Sequence, residues 1–126
     1  MAGHDVNLHA AVIVASNKGS DFNLVNDAYR DQLIQLFSYS SYHQIEDFSR
    51  SLRKGKKETF DLPEDYKLLL TLHGIEKGRV MVQAVIHKGN KQYMDTTVSI
   101  LRPGVVFLGG PPAAGGVLII VLETGF

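Results

Sequence analysis

From Tyr66 to Leu122 the chain runs in short segments, many of them strictly alternating, and turn residues break them every ten to fifteen positions. That rhythm is what an antiparallel meander of strands requires, because successive side chains on a strand point to opposite faces. Tyr66, Leu68, Leu70 and Leu72 alternate with Lys67, Leu69, Thr71 and His73, and Glu76-Lys77-Gly78 predicts a hairpin turn. Val80, Val82, Ala84 and Ile86 alternate with Arg79, Met81, Gln83 and Val85 before a second turn at Lys88-Gly89-Asn90. Met94, Thr96, Val98 and Ile100 alternate with Asp95, Thr97 and Ser99, and Pro103-Gly104 turns into Val105-Val106-Phe107-Leu108. Gly109 to Gly116 reads as a loop leading to a last, wholly apolar strand, Val117 to Leu122.

The first half is less regular. Leu8 to Ala15 is apolar on both alternating faces, which suits a strand covered on both sides near the middle of a sheet. Val117 to Leu122 has the same character, so it is either central as well or an edge awaiting a partner. Asp21 or Asn23 can cap a helix whose apolar positions Phe22, Val25, Tyr29, Leu33 and Leu36 recur at spacings of three and four. Ser38 to Ile45 predicts a short strand, and Phe48 to Leu52 and Glu58 to Leu62 predict two more around the Arg53-Lys54-Gly55-Lys56-Lys57 turn. The fold class that follows is α+β, mainly β. An antiparallel meander of about seven or eight strands forms a sandwich or half-barrel, with one amphipathic helix near residues 22–37 packed on it. Residues 1–126 read as a single domain, since no repeat or shift in composition divides them.

Composition narrows the function. Thirteen basic and thirteen acidic residues cancel, so no overall field draws in nucleic acid, and no nucleic-acid partner is expected. The absence of cysteine removes disulfide frameworks, thiol nucleophiles and Cys-based zinc sites. No apolar run approaches the ~18–20 residues of a membrane-spanning helix, so no transmembrane segment is expected. Met1-Ala2-Gly3-His4-Asp5 has neither a basic start nor an apolar stretch. A periplasmic or other extracytoplasmic location is expected if a signal peptide has been removed, and a cytoplasmic one otherwise.

No constellation makes a complete active site, and no catalytic residue, metal site or cofactor is assigned. His9, His73 and His87 would need to converge on one face to bind a metal, and no His-x-His pair or helical His-x-x-x-His supports it. The glycines from Gly109 to Gly116 precede a strand, whereas a phosphate-binding loop needs a helix N-terminus there. Asp95 is an unusual strand residue, and an outward, solvated carboxylate is the expected reading. Arg53, Lys54, Lys56 and Lys57, with Arg50 nearby, form the one basic cluster. Together with Pro111 and Pro112 they are the candidate partner-binding residues. Tyr39, Tyr42, Tyr66 and Tyr93 are the candidate ligand-binding residues, as apolar rings with a polar tip.

Thr97-Val98, Gly104 and Gly109-Gly110, within residues 95–110, form a threonine-valine strand, a turn glycine and an apolar strand ending in Gly-Gly. This stretch, about one-eighth of the chain, resembles a hairpin near the C-terminal end of bacterial secretins. It departs from that pattern at Pro103 and at Pro111-Pro112. The resemblance implies a bacterial envelope protein that works by strand pairing in an assembly, and it carries over no catalytic residue. The expected function is a non-enzymatic binding or assembly domain, a subunit or accessory of a bacterial envelope structure. Its partner is a protein or a second copy, with peripheral envelope association. The alternative is a small-molecule-binding barrel or small enzyme with a tyrosine-lined pocket.

Overall fold

The computed structural model describes residues 5–19, 22–23, 28–113 and 115–124. Among these residues nine strands and one α-helix follow in the order β1 (Asp5–Ser16), β2 (Phe22–Asn23), α1 (Ala28–Leu36), β3 (Ser41–Arg53), β4 (Lys57–Asp61), β5 (Lys67–Glu76), β6 (Arg79–Lys88), β7 (Lys91–Leu101), β8 (Gly104–Ala113) and β9 (Gly116–Thr124), with a single 3-10 turn at Pro63–Asp65. The strands form two sheets, one of five in the order β2-β3-β1-β9-β8 and one of four in the order β4-β5-β6-β7. All pairings are antiparallel except the short parallel one of β2 with β3. The result is a mainly β sandwich, with a helix on the outer side of the five-stranded sheet.

The four-stranded sheet is the expected meander. Leu68, Leu70 and Leu72 of β5 and Val80, Val82, Ala84 and Ile86 of β6 point inward and are buried. Each turn has suitable chemistry. Glu76 pairs with Arg79, and Lys77 and Gly78 between them both have positive φ, 52° and 76°, as a two-residue hairpin of matching twist requires.

The five-stranded sheet is covered on both faces at its centre. Leu8, Ala10, Val12 and Val14 of β1, with Leu118, Ile120 and Leu122 of β9, face the other sheet. Ala11, Ile13, Ala15, Ile119 and Val121 face the opposite way, where they pack with Leu33 of α1 and Tyr42 of β3. This double burial explains why both strands lack a polar face, and it places β1 and β9 side by side in mid-sheet. The last strand is therefore central and not an edge.

Three local expectations need correction. The helix spans Ala28–Leu36, not residues 22–37, because Phe22 and Asn23 instead pair with Tyr42 and His43 of β3. Val25 lies outside the described residues. Leu33 is fully buried, whereas Leu36 is 60% exposed, so the buried stripe is narrower than its spacing predicts. The two strands expected on either side of Ile45 are one strand, β3, with a bulge where Val12 pairs with Glu46 and Ile13 with Gln44. Gly109 to Ala113 is not loop but the end of β8. Gly109 pairs with Ile119 and Pro112 with Val117, which leaves Gly110 and Pro111 opposite one residue in a bulge. Prolines are tolerated there because β8 is an edge and a bulge needs no ladder donor. Among the described residues no helix is long and apolar enough to cross a membrane.

Candidate assembly interface

A sandwich has four sheet edges, and three of these are blunted. β2 has two described residues and covers only Tyr42 and His43 of β3; the length of β3 left free beyond it carries Glu46, Asp47, Arg50 and Arg53 and the bulge at Ile45. β4 has five, of which Lys57, Glu58 and Asp61 are charged. β8 carries the Pro111-Pro112 pair and its bulge. Short length, charge, proline and bulges are the devices that keep an edge from pairing with another chain.

The fourth edge, β7, lacks most of these. It runs eleven residues with no proline or glycine, and from Tyr93 to Leu101 its single charge is Asp95. Among the described residues it pairs with β6 alone. A bulge at Tyr93, where Ile86 pairs with Met94 and His87 with Gln92, confines irregularity to its first residues. Its core-facing row, Met94, Thr96 and Val98, is half-buried, whereas the equivalent row of β6 is fully buried. Met94 and Val98 of β7, like Val106 and Leu108 of β8, are partly buried side chains packed against the inter-sheet core. Leu101 at the end of β7 is 54% exposed. The Thr124 hydroxyl donates to the Leu101 carbonyl at 2.6 Å, which ties this end of β7 to β9.

The basic cluster forms the crossover between the sheets. Lys56 donates its N–H to the Arg53 carbonyl at 2.9 Å, and Gly55, with φ of 82°, donates to the Leu72 carbonyl of β5 at 2.9 Å. The turn is thereby held against the four-stranded sheet, with Arg53, Lys54, Lys56 and Lys57 exposed. Arg50 stacks 5.4 Å from the Phe60 ring and lies 3.9 Å from the Glu58 carboxylate. Lys54, Gly74, Met81 and Thr97 line one open groove of about 600 Å³, which runs from this turn to β7. Of the two candidate prolines, Pro111 is buried and Pro112 exposed, both on the opposing edge β8. The candidate partner-binding residues therefore occupy two separate places.

The four tyrosines divide into two pairs on opposite faces of the five-stranded sheet. Tyr42 belongs to the outer cluster and Tyr39 packs against it, whereas Tyr66 belongs to the inter-sheet core. The Tyr42 hydroxyl lies 3.3 Å from the Leu33 carbonyl and 3.1 Å from that of Phe37, and it accepts the Tyr39 N–H at 3.3 Å. It thus bonds carbonyls at the C-terminal end of α1, where the Leu33 carbonyl also accepts the Phe37 N–H at 2.9 Å. Burial, the largest effect, pushes the Tyr42 phenol above its ordinary value of 10.0. Tyr66 donates to the Pro112 carbonyl at 3.1 Å and meets Tyr93 edge to face at 5.1 Å.

The histidines also separate. His9, on the outer face of the five-stranded sheet, lies between Asp47 at 3.3 Å and Glu123 at 3.9 Å. His73 and His87 lie on the other sheet. His73 Nε2 lies 3.2 Å from the side-chain amide oxygen of Gln83, and the Gln83 amide nitrogen donates to Asp95 at 2.9 Å, forming a polar chain across β5, β6 and β7. Asp95 is outward and exposed. Among the described residues no group of three His, Asp or Glu is placed to hold a metal ion, and no buried side-chain polar atom lacks a partner.

Sequence reasoning missed the β7 edge, since alternation identifies a strand without saying which neighbours it has. It also missed the carboxylates beside His9 and the Gln83–Asp95 chain beside His73, since these partners come from other strands. Thr97-Val98 and Gly109-Gly110, likened above to one hairpin, lie in different sheets joined by a corner at Arg102-Pro103. The chain matches no family model, no curated protein and no solved structure.

Proposed function

We propose that this chain is a non-enzymatic assembly domain that takes a further strand at β7. The observation that carries this reading is the contrast among the edges: β2, β4 and β8 are blunted, the length of β3 free beyond β2 is charged, and β7 is long, nearly uncharged and, among the described residues, has no strand beyond it. Strand addition supplies main-chain hydrogen bonds along the edge, and side chains on the two faces supply specificity. On the inner face an arriving strand would cover Met94 and Val98 and extend the sandwich core. On the outer face it would meet Asp95, Thr97 and Ser99, beside the groove that leads to Lys54. A bacterial-envelope setting is part of the proposal only through the likeness of residues 95–110 to secretins. The strand-addition reading stands on the β7 edge without it.

The test is to isolate the native assembly from the host with the wild-type chain and two variants. Val98→Lys places a charge on the inner row of β7, and Thr59→Lys places the same charge on β4. Loss of the assembly with Val98→Lys alone supports strand addition at β7. Retention with Val98→Lys, or equal loss with both, refutes it.

A further inference from the structure

We infer that the strand added at β7 is β7 of a second copy of this chain, running antiparallel about a two-fold axis at Thr96. This rests on the strand-addition reading above and specifies its partner. An antiparallel overlap that spans β7 from Lys91 to Leu101 is centred on residue 96, with regular pairing from Met94 to Val98 and the Tyr93 bulge left at its two ends. In that register Met94 of one copy lies opposite Val98 of the other, and Thr96 lies opposite Thr96. The core-facing row of each edge therefore meets an apolar or hydroxyl partner, and the two half-buried rows join.

On the outer face Asp95 lies opposite Thr97 of the second copy. Centring the overlap on Asp95 instead would set two carboxylates directly against each other, which is destabilising. The pairing at Thr96 keeps them on a diagonal, about 7–8 Å apart in an antiparallel pair. The chain as a whole has no net charge, so long-range repulsion does not oppose association of like copies. Each copy has one edge of this kind, so the contact is isologous and closes at two, giving a continuous eight-stranded sheet and no filament.

Light scattering and amide exchange on the purified wild-type chain test this across a concentration series. The expected result is a dimer, with exchange over residues 92–100 slowing as concentration rises. Because the chain has no cysteine, Thr96→Cys introduces a single thiol at the axis. It should form a disulfide-linked dimer under mild oxidation, faster than Thr59→Cys on β4. Val98→Lys should weaken dimerisation by about a hundredfold, the order expected when a charge enters an apolar contact without a partner.

A chain that stays monomeric throughout the series overturns the homodimer. The native-assembly test then still decides whether some other strand occupies β7. A dimer with no exchange change over 92–100, or one undiminished by Val98→Lys, overturns the proposed interface. Cross-linking at Thr59→Cys as fast as at Thr96→Cys overturns it too. The wild-type measurements stand alone if the cysteine variant fails to fold.

Discussion

Replacing Leu33 with alanine tests how α1 is held to the sheet. Leu33 is fully buried among Ala11, Ile13, Ala15, Tyr42, Ile119 and Val121. The truncation removes three side-chain carbons from a site walled mostly by sheet residues, which have little room to collapse inward. A buried Leu→Ala change costs roughly 2–5 kcal/mol depending on how far the site relaxes, and a rigid sheet floor puts this one near about 3 kcal/mol. With a urea m-value of about 2 kcal/mol/M, the unfolding midpoint should fall by about 1.5 M with m unchanged. Leu36, three residues later on the same helix, is 60% exposed, so Leu36→Ala should stay within about 0.5 kcal/mol. Equal effects from the two variants would refute the docking of α1 through Leu33 and restore the wider stripe that the spacing predicts.

Further outcomes follow from other parts of the fold. Tyr42→Phe removes the hydroxyl at the C-terminal end of α1 and should cost about 1–2 kcal/mol in urea unfolding at neutral pH. Because burial raises the Tyr42 phenol in the folded state, its stability contribution is complete below the ordinary value of 10.0 and lost as pH rises through the folded value. Wild-type stability should therefore fall more steeply above that pH than the stability of Tyr42→Phe, as read by denaturation at a series of alkaline pH values. Gly116→Ala would put a Cβ 2.0 Å from the Ala15 carbonyl oxygen, a backbone atom that cannot move aside without disturbing the β1–β9 ladder. A loss of about 3 kcal/mol is expected by thermal or urea unfolding. Gly89→Ala, at a turn with φ of 58° and open space around it, should lose only about 1–2 kcal/mol.

The four-stranded sheet was legible because each of β5, β6 and β7 buries one face, so Leu68 to Leu72, Val80 to Ile86 and Met94 to Ile100 all alternate cleanly. β1 and β9 were legible for the opposite reason, as strands buried on both faces. Where a bulge intrudes, the pattern breaks. Ile45 lies at the bulge of β3 opposite Val12 and Ile13 and is 45% exposed, so a single strand reads as two. Pro111 and Pro112 mimic a loop because local propensity cannot register that β8 is an edge. Phe22 fits a helical period but pairs with Tyr42, and a two-residue pairing leaves no periodic trace. The edge proposed for assembly depends wholly on which strands become neighbours. β7 is open because β8 crosses to the other sheet at Arg102-Pro103 instead of folding back as a hairpin partner. Asp95 shows the same limit: its oddity in a strand is visible in the sequence, but its bond to Gln83 needs the register of β6 against β7.

Backbone amide exchange on the assembled and isolated forms of the full chain is the most direct test of β7 as the assembly edge. Amides from Gln92 to Ile100 should exchange markedly more slowly in the assembly, while those of β4 and β8 remain as in the isolated chain. Unchanged exchange along β7, with new protection at β4, at β8 or at the Lys54–Lys56 turn, would contradict strand addition and move the interface elsewhere.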